Sequence, residues 1–161
     1  KERIMKLTKR IALFLLAMMF CFSVPFSALA QTNEQTETEV QHFEDGSYII
    51  IRTEEVISPF ASGTVTRGKT GYYYDGDEQE LRWSVTLRAT FKYTGSSATC
   101  TGAVTSYNIY DTAWKVKEAT ASKSGRTATG DFLVKKYWLG IITKTVPLTL
   151  TISCDNNGNI S

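Results

Sequence analysis

The sequence predicts an all-β fold: an antiparallel β-sandwich of seven or eight strands, Ig-like only in its loose architecture. Residues 81–93 alternate strictly, with apolar side chains at odd positions and polar ones at even positions. Because successive side chains of a strand point to opposite faces, this pattern indicates a half-buried strand. Residues 146–154 repeat the alternation on even positions, and β-branched threonine is abundant throughout. No segment shows the apolar repeat of a helix.

The remaining predicted strands are shorter or less regular. We expect them at residues 48–56, 64–66, 71–74, 99–110, 113–119 and 127–137. Segments rich in glycine, serine and aspartate separate most of them, and these residue types favour tight reversals of the chain. Pro147 has no backbone donor, so the strand over residues 146–154 is expected to begin at a sheet edge.

Residues 1–30 have the order of a secretory signal peptide. Five basic residues precede an apolar run over residues 11–22, and Ala28-Leu29-Ala30 matches the A-x-A pattern before a cleavage site. The apolar run is shorter than the roughly 20 residues needed to span a bilayer. We therefore expect a secreted, extracellular protein that has no stable membrane anchor after signal cleavage.

Charge divides the rest of the chain. Removal of residues 1–30, with five bases and one acid, changes the net charge from +2 to −2. A nucleic-acid-binding domain is usually strongly basic, so nucleic acid is not an expected partner. Residues 31–45 are acidic and nearly without apolar side chains, which predicts a disordered arm or linker before a single all-β domain over residues 46–161. Whether residues 31–60 are a propeptide stays open.

The cysteines fit an exported protein. Cys21 would leave with the signal peptide, and Cys100 and Cys154 would remain. Two cysteines in one small domain usually pair in an oxidising compartment, so we expect a Cys100–Cys154 disulfide. Trp114 between them also occurs in immunoglobulin domains, but Ile152 stands where those domains carry a tyrosine. True immunoglobulin membership is therefore not expected.

Residues suited to catalysis are few. His42 is the only histidine and lies in the acidic arm, so a catalytic triad lacks its base and a zinc site lacks ligands. We expect no enzyme, no metal and no cofactor. A hydrolase using acids such as Asp77, Glu80 or Asp111 is the alternative. The acidic turn over residues 75–80 lacks EF-hand spacing and is expected to be solvated, although calcium binding there stays open.

Aromatic side chains are the candidate binding residues. Tyr72, Tyr73 and Tyr74 are consecutive in a predicted strand, so at least one ring must lie on its outer face. Tyr137 and Trp138 precede a glycine turn. Exposed rings give a large contact area at a small entropic cost, which suits a cell-surface glycan or protein as the partner. Cross-strand packing of the rings is the competing interpretation.

A set of basic residues follows the segment between Trp114 and Tyr137. It consists of Lys115, Lys117, Lys123, Arg126, Lys135 and Lys136. Such a patch is able to contact an anionic cell-wall polymer or a membrane surface. Lysines also keep exposed strands from aggregating, and that is the competing explanation.

Several motifs resemble those of a group of small secreted proteins from Gram-positive bacteria. They are Leu81-x-Trp83-Ser84-Val85, Thr90-Phe91-x-Tyr93-x-Gly95, Cys100, Trp114-Lys115, Ser122-Lys123-Ser124-Gly125, Leu139-Gly140-Ile141 and Thr149-Leu150-Thr151-x-Cys154. The resemblance covers roughly residues 62–161. It implies a secreted, disulfide-bearing β domain and implies nothing about activity.

Together these observations predict a secreted, non-enzymatic binding or interaction module that acts at or beyond the bacterial cell surface. One alternative is a secreted effector, such as a bacteriocin-like toxin or an inhibitor, with a removable N-terminal pro-segment. The hydrolase is the second alternative.

Overall fold

Eight antiparallel strands make up the fold. The computed structural model describes residues 38–54, 63–76 and 79–161, all within one unit, Asn33–Ser161. The strands are β1 (Thr38–His42), β2 (Tyr48–Thr53), β3 (Gly63–Tyr74), β4 (Leu81–Tyr93), β5 (Ala98–Ile109), β6 (Trp114–Ser124), β7 (Thr127–Trp138) and β8 (Ile141–Ser153). No helix occurs among the described residues.

The strands form two sheets that pack face to face. One sheet has the order β1-β2-β3-β4-β5 and the other the order β6-β7-β8. Contacts of β3 with β8 and of β4 with β7 bring the two inner faces together. This confirms the predicted all-β sandwich, and β8 is an edge strand as Pro147 indicated.

The core consists of the alternating apolar positions that the sequence shows. The buried side chains of β4 are Trp83, Val85, Leu87, Ala89, Phe91 and Tyr93. Those of β8 are Val146, Leu148, Leu150 and Ile152. Each of these strands turns one face to the opposite sheet and the other to solvent, which is why its sequence alternates.

An aromatic cluster joins the two sheets. Tyr73 of β3 stacks on Trp83 of β4 with ring centroids 4.9 Å apart and planes 3° from parallel. Trp114 of β6 tilts against both rings, at 4.9 Å from Tyr73 and 6.2 Å from Trp83. Because Trp114 belongs to the other sheet, the cluster holds the two sheets together near the turn that connects β7 to β8.

Strand β3 is continuous where the sequence predicted two short strands, at residues 64–66 and 71–74. Gly71, inside it, has no positive φ and does not form a turn. A Cβ atom on Gly71 would lie 2.7 Å from Leu148 Cδ2 of the opposite sheet. The glycine is therefore a point of close approach between the sheets. Strand β8 also differs from the prediction, since it begins at Ile141 rather than at residue 146.

The expected disorder of residues 31–45 is wrong for the part that the structure describes. Residues 38–42 form β1, which pairs with β2 in the register Thr38↔Arg52 to His42↔Tyr48. All five side chains of β1 are exposed, so backbone hydrogen bonds rather than apolar burial hold the strand. Residues 31–37 lie outside the described residues.

Substitution of Gly71 by valine should destabilise the fold. The added side chain would collide with Leu148, and overpacking of this kind costs about 1–3 kcal/mol. Gly102→Ala is the matched control, because its new Cβ would lie 3.9 Å from Thr90 Cβ, an ordinary contact distance. Replacing a glycine within a strand by alanine should raise the free energy of unfolding by up to about 1 kcal/mol. Urea unfolding of both variants checks this, and equal midpoints would contradict the assigned role of Gly71.

Candidate functional site

The β7–β8 hairpin ends in an exposed apolar tip, residues 138–142, called the hairpin tip below. Trp138 and Ile141 face each other as the last cross-strand pair. The exposed fractions are 70% for Trp138, 87% for Leu139, 69% for Ile141 and 48% for Ile142. Four large apolar side chains, on the two faces of one hairpin end, are therefore exposed to solvent. A concentration of exposed apolar side chains marks interaction sites on soluble proteins.

The backbone conformation of the turn at the hairpin tip is unfavourable for Leu139. Leu139 and Gly140 form a two-residue loop with φ values of 49° and 83°. Positive φ at both central positions defines a type I′ turn, for which Asn-Gly is the preferred sequence. A left-handed conformation costs an ordinary side chain such as leucine about 1–2 kcal/mol. The stability of the fold therefore does not explain why a leucine occupies position 139.

The turns between β4 and β5 and between β6 and β7 are polar. The loop between β6 and β7 is Gly125-Arg126, with its positive φ at the glycine. In the turn between β4 and β5, the Ser97 amide donates to the Thr94 hydroxyl at 3.2 Å. These two turns follow ordinary turn chemistry. Gln79, in the turn between β3 and β4, shares the positive φ of Leu139, at 52°, but its side chain is polar. Leu139 is thus an apolar residue where Gln79 is a polar one.

A lysine cluster, Lys115, Lys117 and Lys135, lies behind the tip on the outer face of the three-stranded sheet. The ammonium groups of Lys115 and Lys117 both lie 5.4 Å from the centre of the Tyr137 ring. Tyr137 in turn is opposite Ile142 of the tip. The ladder between β6 and β7 skips Lys117, and such a bulge re-aims a side chain. The cluster and the tip are thus joined through Tyr137.

Among the described residues, no acidic side chain forms a salt bridge with the lysine cluster. Salt bridges of the described residues are made by Arg82, Lys136 and Lys144, and none of them includes a member of the cluster. Lys115 and Lys135 are directly opposite each other across β6 and β7. Like charges in this position destabilise a sheet. The lysine cluster is therefore a second feature, next to the tip, that lowers the stability of the free protein.

An ion pair fixes β8 directly behind the tip. Lys144 Nζ donates to the carboxylate of Asp45 and, at 2.7 Å, to the hydroxyl of Ser47, both near the β1–β2 turn. The hydrogen bonds from Lys144 and Ser47 lower the pKa of Asp45 to about 2. Burial acts to lower the pKa of Lys144, but its bonds to Asp45 and Tyr73 outweigh burial and raise it.

The structure separates the three consecutive tyrosines. Tyr73 is 1% exposed within the aromatic cluster, so the expectation that it is an exposed ring is wrong. Tyr72 and Tyr74 are half-buried on the outer face of the five-stranded sheet. Arg52 lies over the Tyr72 ring at 5.6 Å, and Tyr74 stacks on Tyr48 at 5.0 Å. These rings pack within their own sheet, as the competing interpretation held.

Trp138 does lie in the hairpin tip, and Tyr137 directly precedes it on the opposite face of the hairpin. The sequence prediction missed Leu139, Ile141 and Ile142, which supply most of the tip's apolar area. A signal was present, because two consecutive isoleucines directly after a turn break the apolar–polar alternation of β8. Two of the five large side chains of this region, Tyr137 and Trp138, were therefore identified from aromatic content alone.

The predicted disulfide is not formed in this structure. Cys100 and Cys154 are buried free thiols, and burial raises the pKa of each. Cys100 Sγ donates to the Gly102 carbonyl at 3.4 Å, and Cys154 Sγ to the Asp155 carbonyl at 3.3 Å. Each sulfur is thus directed to a nearby carbonyl instead of being bonded to the other sulfur.

The acidic residues that the sequence offered for catalysis surround an arginine. The guanidinium of Arg82 is 3.1 Å from Glu80, 3.6 Å from Asp75 and 3.6 Å from Asp111. Asp77 lies outside the described residues. In the described part of the chain, no three His, Cys, Asp or Glu side chains are placed to hold a metal ion.

A groove of about 430 Å³ runs between β1–β2 and the edge strand β8. Ile51 and Leu148 form part of its floor, and Glu39 is the one carboxylate among its described lining residues. A glycosidase needs two carboxylates across its site, so the described part of the groove does not provide that chemistry.

Stability at acid pH should depend on Asp45. A carboxyl whose pKa is lowered on folding stabilises above its unfolded pKa, and this contribution is lost as the pH falls from about 4 to about 2. In Asp45→Asn, the free energy of unfolding should therefore fall less between pH 5 and pH 2 than it does in the wild type. The effect should stay below about 1 kcal/mol, because Asp45 is half exposed.

Lys144→Gln is the matched control for this pH dependence. In that background, Asp45→Asn should have a smaller effect, because the largest cause of the lowered carboxyl pKa, Lys144, is gone and only the hydrogen bonds from Ser47 remain. Urea unfolding at both pH values measures the effect. An undiminished pH dependence in Asp45→Asn would contradict the assignment.

Comparisons with known proteins assign no family. No protein-family model and no curated protein matches the sequence. Among solved structures, the chain is similar to a hypothetical protein of Listeria monocytogenes at 19% identity and a TM-score of 0.40, over 78% of this chain and 95% of that one. Similarity at this level shows no function. The predicted signal peptide lies outside the described residues. Among the residues that the structure does describe, no helix is long and apolar enough to cross a membrane.

Proposed function

We propose that this protein is a secreted, non-enzymatic binding module that contacts its partner at the bacterial cell surface through the hairpin tip. The observation that carries the proposal is Leu139, an 87% exposed leucine in a left-handed backbone conformation. This residue is unfavourable for the turn and for solvation in the free protein. A bound partner would compensate for the exposure, because it removes the side chain from water.

The neighbouring residues support an interaction surface rather than a folding role. Tryptophan is one of the residue types that are enriched in binding hot spots, and Trp138 is 70% exposed. Local rules of turn chemistry and charge pairing are both broken here, at the tip and in the lysine cluster. Natural proteins break such rules mainly at functional sites.

The hydrolase alternative has no specific observation in its favour. Glu80 and Asp111 both pair with Arg82 in the structure. The effector alternative would use the same exposed tip, so it differs in biological role and not in the surface that makes contact.

We also propose that Cys100 and Cys154 are oxidised to a disulfide in the secreted protein. The Cys100 amide donates to the carbonyl of Gly125 at 2.8 Å, and the Cys154 amide donates to that of Arg126 at 3.0 Å. Two consecutive carbonyls thus hold both cysteine backbones beside one turn. A disulfide requires two cysteines with close backbones, and attachment to adjacent carbonyls of one turn supports such proximity.

Oxidised protein should be more resistant to unfolding than reduced protein. A bridge that closes a loop of about 55 residues adds up to about 4 kcal/mol in chain-entropy terms. Thermal unfolding with and without a thiol reductant measures this, together with the mass of the intact secreted protein. The Cys100→Ser, Cys154→Ser double variant is the control and should not respond to reductant. Two alkylatable thiols in the secreted, non-reduced protein would refute the bridge.

Polar substitution of the tip should remove binding to cells. We expect Leu139→Asn with Ile141→Thr to reduce binding of the labelled, secreted-form protein to intact Gram-positive cells at least about tenfold. Asparagine is favoured in the turn, so this variant should fold at least as stably as the wild type. Thermal unfolding verifies that the variant is folded.

Val104→Thr is the matched control for the cell-binding experiment. It removes an apolar side chain that is 61% exposed but lies on β5, in the other sheet. This variant should bind cells as the wild type does. Equal binding by wild type and tip variant would refute the proposed function.

A further inference from the structure

We infer that the partner of the hairpin tip is an anionic lipid bilayer, into whose interface the tip inserts. This inference rests on the proposed function and specifies its partner. Three features carry it: the shape of the tip, the order of its side chains, and the uncompensated charge behind it.

The shape of the tip suits an interface and not a flat contact. The cross-strand pairs Tyr137↔Ile142 and Trp138↔Ile141 lead to the two-residue loop. Two strand residues and a turn extend roughly 7–10 Å at about 3.3 Å per residue. Interfacial elements bury their apolar side chains about 5–10 Å into the boundary between headgroups and acyl chains. Cross-strand pairing up to Trp138 and Ile141 also limits the number of polar backbone groups that would lose water.

The side chains follow the polarity gradient of a bilayer surface. Leu139 and Ile141 are at the apex, where they would meet acyl chains, and Trp138 accompanies them with an indole suited to the headgroup boundary. Tyr137 follows, and the ammonium groups of Lys115 and Lys117 lie directly over its ring. Apolar, aromatic and cationic side chains therefore succeed one another away from the apex.

Charge complementarity selects an anionic surface. Lys115, Lys117 and Lys135 have no carboxylate within salt-bridge distance among the described residues. Lipid phosphates would relieve the repulsion between Lys115 and Lys135. A lysine near an anionic membrane strengthens binding about fivefold. The cluster thus turns from a local cost into an attraction when the tip meets such a surface.

A glycan is the less suitable partner for this surface. Sugar recognition needs polar groups placed around a flat ring. Three of the four large side chains of the tip are aliphatic and offer no donor or acceptor: Leu139, Ile141 and Ile142. Only Trp138 in the tip has the ring that stacks on a sugar. A lipid interface makes use of all four.

Vesicle binding tests the inference. The secreted-form protein is mixed with large vesicles of equal phosphatidylglycerol and phosphatidylcholine, or of phosphatidylcholine alone, and bound protein is measured by co-sedimentation. We expect binding to the anionic vesicles, at least about tenfold weaker binding to the neutral ones, and weakening of the anionic binding by salt.

Matched variants identify the residues responsible. Leu139→Asn with Ile141→Thr should lower binding to anionic vesicles at least about tenfold, whereas Val104→Thr should leave it unchanged. Lys115→Gln and Lys135→Gln should each lower it about fivefold. Brominated lipid should quench tryptophan emission in the wild type and much less in Trp138→Phe, because Trp83 and Trp114 are buried in the core.

The outcomes separate this inference from the proposed function. Failure of the wild type to bind anionic vesicles, with tip-dependent binding to cells retained, would overturn the lipid assignment and point to a glycan or protein partner. Vesicle binding that the tip variant retains in full would overturn it as well. Cell binding that does not depend on the tip would instead refute the proposed function.

Discussion

The packing of Trp114 against Tyr73 and Trp83 is the contact on which the arrangement of the two sheets depends. Tyr73 and Trp83 are stacked within the five-stranded sheet, and Trp114 is the first residue of the three-stranded one. Large rings bury much apolar area with few rotatable bonds, so they hold an orientation at a small entropic cost. The β7–β8 hairpin emerges beside this cluster, since Trp114 is opposite Lys136.

Cations cover the same cluster. Lys136 lies 5.7 Å from the Trp114 ring and Lys144 lies 5.3 Å from the Tyr73 ring. Both lysines also bind carboxylates, Asp75 and Asp45 respectively, which come from turns of the other sheet. The base of the hairpin is thus held by aromatic contact and by ion pairs. The exposed tip therefore projects from a rigid support, and this is what a binding site requires.

Strand patterning was sufficient to predict the fold class but not every element. The alternation of β4 and β8 follows from one buried face and one solvated face. Strand β4 has the predicted bounds, whereas β8 begins at Ile141, before the alternating segment that predicted it. Strand β1 carries no such pattern, because its five side chains are all exposed and its pairing uses only backbone groups. Sequence composition therefore favoured disorder where the neighbouring strand provides order.

The candidate site was only partly predictable for a related reason. Aromatic content identified Tyr137 and Trp138, but it also selected Tyr73, whose neighbours in the other sheet bury it. Which of three consecutive tyrosines faces inward depends on the register with β4, and one sequence does not reveal that register. The cost at Leu139 was likewise hidden, because positive φ is a property of the turn geometry and not of the residue.

Strand β7 gives the molecule a direction. It has the apolar tip at one end and the polar Gly125-Arg126 turn at the other, and its 12 residues span roughly 40 Å. The polar turn also adjoins Cys100 and Cys154 through its two carbonyls. When the tip contacts a surface, the opposite end of β7, which adjoins Cys100 and Cys154, would lie away from that surface and face the surrounding medium.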